Sequence, residues 1–548
     1  MRTNRINTRS WIPGVAQTLT STIACLVVSV AGAGAQQSAG GLSPHRAQSI
    51  ANQSVTSFPP QMNDHFGWSL ATGDFNGDGR DELATGIPED DGPTTALVTD
   101  GGALIVSQYL SGTGLDPVKF VRQSAGLDAP EAGDSFARAL ASCDFNQDGF
   151  DDLAVGIPLE DVGALSGAGA VQIHYGRNAS FPGFGSEFFT QNTAGIPGDA
   201  EEFDTFGYSL ACGDFDGDGF DDLAIGVPYE DLGSAVAAGM IEILPGWSGG
   251  LASDFAYSID QDTSGVDGSV EGTDNFGSSL AAGDFDGDGY ADLAIGVPGE
   301  DGDVGAVQIL FGSASGPNGA RDLFWYDENL GGTREGADQF GETLVAGDFD
   351  GDGYDDLAIG VPREEAGSTG SSIDSGEVKI AYGAVGGFGS FPSRTQRFTQ
   401  DSFAGAHETA QAGDRFGAAL AVGDFNGDGF DDLAMAAPFE GIASASDQDG
   451  HVTMVLGTST GLFVFQARGF AAGWDGVPGS KTEHNKNFGW ALAAGDFDGD
   501  GYDDLAIGVP FENPGGLGDA GAQTILYGSL FTDGFETNDA TSWSAVAP

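Results

Sequence analysis

The sequence predicts an all-β fold: a seven-bladed β-propeller of four-stranded antiparallel blades, with an N-terminal strand closing the last blade. Three observations carry that prediction. One segment recurs seven times, each copy holds about four short apolar runs, and helical periodicity is absent throughout. The segment has the form Phe-Gly-x-Ser-Leu-Ala-x-Gly-Asp-Phe-Asp-Gly-Asp-Gly-Tyr-Asp-Asp-Leu-Ala-Ile-Gly-Val-Pro. Its first loop aspartates are Asp74, Asp144, Asp214, Asp284, Asp348, Asp424 and Asp496, at spacings of 70, 70, 70, 64, 76 and 72 residues. The copies occupy residues 42–530 and leave no room for a second globular domain.

The fourth copy shows how each element is read. Residues 279–283 form a short apolar strand, 284–292 a polar, Gly-punctuated loop, and 293–297 a second strand ended by Pro298. A third strand, 305–312, alternates small and large apolar residues, and a weaker fourth spans 321–326. The last copy ends with its third strand, 522–527, while a stretch around 46–55 precedes the first Phe-Gly without partners. Pairing the two completes blade seven and removes two exposed sheet edges.

Among 548 residues, Asp+Glu number 82 against 19 Lys+Arg, a formal net charge of -63. Such a surface repels nucleic acid and anionic membranes, both of which need a basic footprint. Residues 1–35 read as a secretory signal: Arg2, Arg5 and Arg9 are basic, 23–30 is apolar, and Ala33-Gly34-Ala35 supplies a cleavage site. The apolar core is too short and too rich in Gly, Ser and Thr for a membrane anchor. Thr22 stands where a lipoprotein signal at Cys25 would need Leu. The expectation is a secreted or cell-surface protein with no membrane insertion after cleavage. Cys143 and Cys212 then remain, and each replaces a small residue just before an aspartate loop, so both are expected to be buried thiols rather than a disulfide.

The acids concentrate in the loops. Loop four offers Asp284, Asp286, Asp288 and Asp292 at positions one, three, five and nine. A hard cation takes six or more oxygens at short range, and a tight loop brings alternate side chains to one point, with a backbone carbonyl from position seven. The first loop has Asp74, Asn76, Asp78 and Glu82, and the second Asp144, Asn146, Asp148 and Asp152. The third has Asp214, Asp216, Asp218 and Asp222, and the fifth Asp348, Asp350, Asp352 and Asp356. The sixth has Asp424, Asn426, Asp428 and Asp432, and the seventh Asp496, Asp498, Asp500 and Asp504. Two carboxylates 4 Å apart repel by about 4 kcal/mol at an effective dielectric near 20, so seven such clusters call for a cation. Up to seven Ca²⁺ ions, one per loop, are therefore expected. Glu82 is longer than the usual Asp, and Gln147 replaces the first loop Gly, which sets loops one and two apart. An EF-hand is excluded, because position twelve is apolar or small (Thr85, Val155, Ile225, Ile295) and strands flank the loop.

The repeats resemble FG-GAP repeats, the units of the seven-bladed propeller in the integrin alpha chain. Phe276-Gly277 matches the first element of that signature and Gly296-Val297-Pro298 the second, with the aspartate loop between them. The departures are Ala137 for Gly in copy two and Ala436-Ala437-Pro438 in copy six. The resemblance implies calcium in loops that join neighbouring strands, and it leaves activity open. The tail 531–548 resembles the Asp-Gly-Phe-Glu…Trp-Ser ending of various exported bacterial proteins, and reads either as a sorting signal or as a frayed terminus.

Two functions follow. The first is a non-catalytic extracellular binding or adhesion module whose ligand is an extracellular protein or glycan. The second is an extracellular hydrolase or lyase using an acidic site on a propeller face. Six His are scattered without metal spacing, and no G-x-S-x-G or HExxH motif occurs. The acid pairs after each Pro, such as Glu160-Asp161 and Glu230-Asp231, recur at Glu89-Asp90, Glu300-Asp301 and Glu364-Glu365, which marks them as structural. Binding is the preferred reading. No Arg-Gly-Asp occurs.

Overall fold

The computed structural model describes residues 42–528 apart from 51–60, 92–100, 111–113, 122–130, 178–185, 366–373, 390–391, 404–409, 443–446, 475, 480–483 and 510. Residues 1–35, read above as a secretory signal, and the tail 531–548 lie outside the described residues.

Asp and Gly at the tip of each polar loop reverse the chain, so the apolar runs on either side pair as antiparallel strands. In blade four, Ser279–Gly283 pairs with Asp292–Val297, which pairs with Ala306–Leu310 and then Asp322–Trp325. The same order builds seven four-stranded sheets. Every second strand is buried along its whole length, as a central strand covered on both faces should be. Blade three adds a small hairpin, Gly246–Trp247 with Gly250–Leu251.

The core lies between blades. Phe285, Ile309 and Trp325 of blade four pack against Phe340, Ile359 and Val361 of blade five, and similar apolar clusters join the other neighbours. Close backbone contact explains the small residue that opens each Gly-x-Pro element. A Cβ on Gly296 would lie 2.2 Å from the carbonyl oxygen of Gly341, the glycine of the next Phe-Gly pair. The Ser279 hydroxyl donates to that same carbonyl at 2.7 Å. Each Phe-Gly pair thus docks on the Gly-x-Pro of the blade before it.

The ring closes through Ser43–Ile50, which pairs antiparallel with Ala522–Tyr527 as the fourth strand of blade seven. This strand begins before the expected 46–55. Cys143 and Cys212 correct the expectation of two thiols: they form a disulfide. Cys143 ends the inner strand of blade two and Cys212 is the last but one residue of that of blade three, and stacking those strands brings their Cα atoms to 6.4 Å across 69 residues of sequence. No helix among the described residues is long and apolar enough to cross a membrane.

Candidate metal centres

Each aspartate loop folds around its first carboxylate. In loop four, Asp284 Oδ1 accepts the backbone N–H of Gly287 at 2.8 Å and of Asp288 at 3.1 Å, while Oδ2 accepts that of Gly289 at 3.0 Å. Asp288 N–H also donates to Asp286 Oδ1 at 3.1 Å, and Tyr290 N–H to Asp288 Oδ1 at 3.2 Å. Asp74, Asp144, Asp214, Asp348, Asp424 and Asp496 accept the equivalent position-five and position-six amides. The glycines permit the turn, and the amides hold the carboxylate inward.

The position-nine acid has a structural task that sequence reasoning missed. Asp292 opens the second strand, fully buried; its Oδ2 accepts Phe285 N–H at 2.9 Å and its Oδ1 accepts Gly312 N–H at 2.8 Å. It therefore ties the loop to the end of the third strand. Asp152, Asp222, Asp356 and Asp504 make both bonds, and Asp432 makes the one to the third strand. Burial pushes these carboxyls up, to about 7 for Asp222, about 8 for Asp152, Asp292, Asp356 and Asp432, and about 9 for Asp504. Glu82 reaches about 8 for the same reason, with Asp78 and Asp74 adding repulsion.

Neighbouring loops are stapled to one another. The position-eight carboxylates Asp81, Asp151, Asp221, Asp355, Asp431 and Asp503 accept the backbone N–H of the preceding blade's first loop aspartate at 2.8–3.1 Å. Asp81 takes that of Asp496, so this ladder also closes the ring. Copy four breaks it, because Ala291 stands at position eight. Except in loop one, where Arg80 lies on Gly499, the position-seven residue is an aromatic ring, as where a Cβ on Gly287, the position-four glycine of the preceding loop, would sit 2.3 Å from the Tyr354 ring. Gln147 replaces that glycine in loop two, with φ +54°, and its amide donates to Gly219 O at 2.6 Å.

The loops differ at position three. Where it is Asn, the amide donates to the position-nine acid: Asn76 to Glu82, Asn146 to Asp152 at 3.1 Å, and Asn426 to Asp432 at 3.2 Å. In loops four and five an arginine from near the fourth strand lies on the Asp: Arg321 reaches Asp286 at 2.6 Å, and Arg394 pairs with Asp350. Neither arginine was legible as a loop partner.

The donor set fits a hard cation. One carboxylate oxygen each from Asp214, Asp216 and Asp218 lie within 4.8 Å of one another, as do those of Asp284, Asp286 and Asp292, and of Asp348, Asp350 and Asp356. Buried oxygens without a hydrogen-bond donor point to the same need: Asn426 Oδ1, Asp350 Oδ1 and Glu82 Oε2. A different acidic group, Asp327, Glu364 and Glu377, is partly offset by two cations: the fully buried Lys379 pairs with Asp327 and Glu377, and Arg397 with Glu377 and Glu364. The acids after each Pro are also engaged: Glu230 and Glu300 accept the amides of Gln191 and Gln261 from the preceding blade, both at 2.8 Å.

The FG-GAP repeat model matches residues 66–106, 136–174, 206–241, 276–310, 340–372, 416–453 and 488–526, one match per blade. The chain is an FG-GAP repeat protein. It is 30% identical over 243 residues to integrin alpha-5 of Xenopus laevis, covering 43% of this chain and 20% of that relative. It is 32% identical over 197 residues to integrin alpha-V of Gallus gallus, covering 34% and 16%. It is 32% identical over 168 residues to phosphatidylinositol-glycan-specific phospholipase D of Mus musculus, covering 30% and 18%. This FG-GAP chain thus spans no more than about a fifth of the length of those relatives.

Proposed function

We propose that this FG-GAP protein is a secreted or cell-surface, calcium-binding module that recognises an extracellular protein or glycan without catalysis. The observation that carries the reading is the convergence of carboxylate oxygens in the repeated loops around a buried position-nine acid. Calcium, when bound, supplies the positive charge that offsets this crowding. Positions one, three, five and nine of each loop would hold it, with the position-seven carbonyl. The residues of the chain do the rest: the first Asp organises the loop amides, the ninth fixes the loop to the third strand, and the eighth joins adjacent blades. An ion bound at each loop would therefore stiffen the whole ring and hold its two faces in shape for a partner.

Extracellular calcium sites bind at about 0.1–1 mM, and saturation to about a hundred times the dissociation constant adds roughly 2.7 kcal/mol per site. Replacing Asp286 and Asp288 with Ala is expected to remove one bound ion; unchanged calcium stoichiometry would refute the loop assignment. A second reading is hydrolysis on a propeller face, favoured only by the similarity to a relative named as a phospholipase D. Turnover of a phosphatidylinositol-glycan substrate by the purified chain would establish that alternative.

A further inference from the structure

The aspartate loops follow the inner strands; the residues after each Phe-Gly pair precede them and so crowd the other end of the ring's axis. There the repeat loses its uniformity. Trp68, Arg138, Tyr208, Glu342 and Trp490, each the residue after Phe-Gly or Phe-Ala in a different blade, line one cavity of about 260 Å³. Arg363 and Arg415 complete its charged lining, and Phe439 its aromatic one.

The charge of this cavity runs against the rest of the molecule. Lys and Arg total 19 in a chain of net charge -63, yet three arginines converge here with a single carboxylate, Glu342. Glu342 Oε2 lies 3.4 Å from Arg363 Nε, so one arginine is already partnered. The other two lie on aromatic faces, with Glu89 attracting Arg138 and Glu342 attracting Arg415 from beyond ion-pair distance. The Arg138 guanidinium carbon is 4.2 Å from the Trp68 ring centroid, and that of Arg415 is 5.0 Å from Phe439. Among the described residues neither Arg138 nor Arg415 forms an ion pair with a carboxylate. Trp490 lies 5.9 Å from both Trp68 and Phe439, which makes the aromatic wall continuous.

We propose that this axial cavity binds a single carboxylate carried on a flat, uncharged body. Guanidinium forks grip a carboxylate through paired charged hydrogen bonds, and indole and phenyl faces stack on a planar body. The cavity holds a group of about one ring. A polyanion is disfavoured, because only the bound group would escape repulsion from the acidic surface, which reaches about 8 Å at physiological ionic strength. Glu342 shows the arrangement within the protein itself, a carboxylate held against Arg363. The proposal rests on the reading of the chain as a binding module, but it uses no loop residue.

The test is calorimetric titration of the calcium-saturated full chain with benzoate, with benzamide as the uncharged isostere and inorganic sulfate as the bodiless anion. Benzoate is expected to bind at one site, with benzamide and sulfate each at least about tenfold weaker, the loss that one charged hydrogen bond accounts for. Arg138→Gln and Arg415→Gln are each expected to weaken benzoate about tenfold or more while melting temperature and calcium stoichiometry hold, and Glu342→Gln to tighten it. Equal binding of benzoate and benzamide, equal binding of sulfate, no benzoate binding, or unaltered binding by both arginine variants would overturn the proposal. A variant with an altered melt is replaced by Arg138→Lys, which keeps the charge and removes the fork. The result separates from the loop reading, since a chain that binds no calcium still reports on benzoate.

Discussion

At one end of the inner strands seven loops repeat nearly the same residues; at the other, the residues after Phe-Gly are Trp, Arg, Tyr, Ser, Glu, Ala and Trp in turn. The loop end is acidic, internally hydrogen-bonded and stapled blade to blade. The axial end is aromatic and arginine-bearing, and only blades seven and one, with Trp490 and Trp68, supply the same group side by side. A contact needed at every blade boundary must repeat, whereas a binding site on the axis is made once from unlike side chains. Sevenfold identity thus marks what holds the ring, and departure from it marks where a ligand is chosen.

Single substitutions sharpen that contrast. The largest effect is expected from Asp292→Ala, which leaves the buried amides of Phe285 and Gly312 without an acceptor: about 3 kcal/mol of stability and one calcium ion lost, read by melting and calorimetry. Arg138→Gln at the other end should change stability by no more than about 0.5 kcal/mol. Opening the Cys143–Cys212 bridge with Cys143→Ser releases a cross-link between blades two and three, and should cost about 2–4 kcal/mol in denaturant unfolding.

Glu242 gives a pH-dependent test away from the loops. Both its oxygens are buried without a donor, and burial raises its pKa from 4.5 to about 8. Because the folded value is the higher, its contribution is most favourable below about pH 4.5 and is lost as pH rises towards 8. The matching positions of blades two and four carry Gln172 and Gln308, and that of blade seven Thr524. Glu242→Gln should therefore stabilise by roughly 1–3 kcal/mol near pH 8 and much less near pH 5. A modest gain is expected at the gap in the staple. Ala291→Asp would supply the missing acceptor for Asp214 N–H and should add about 0.5–1 kcal/mol.

Much of this was legible in the residues. The period, the Gly stops and the apolar runs placed Ser279–Gly283 and Ala522–Tyr527 as strands at the positions they occupy. The closing strand was found but set a few residues late, since the 43–50 segment lacks clean alternation. What escaped was whatever depends on the neighbouring blade. The disulfide joins adjacent copies at positions one residue out of register, Cys143 one residue and Cys212 two residues before the first loop Asp, a proximity that only stacking of the inner strands creates. The position-eight Asp recurs in six copies and was visible, but its target is the backbone of another repeat. Arg321 and Arg394 reach their carboxylates from outside the repeated segment, where no pattern marks them.

The most direct test of the central claim is calorimetric titration of the purified chain with calcium, with its melting temperature followed with and without EDTA. Binding of about seven ions with a large calcium-dependent rise in melting temperature is the predicted result. No binding, with a melt unchanged by EDTA, would contradict it and leave the loops as turns.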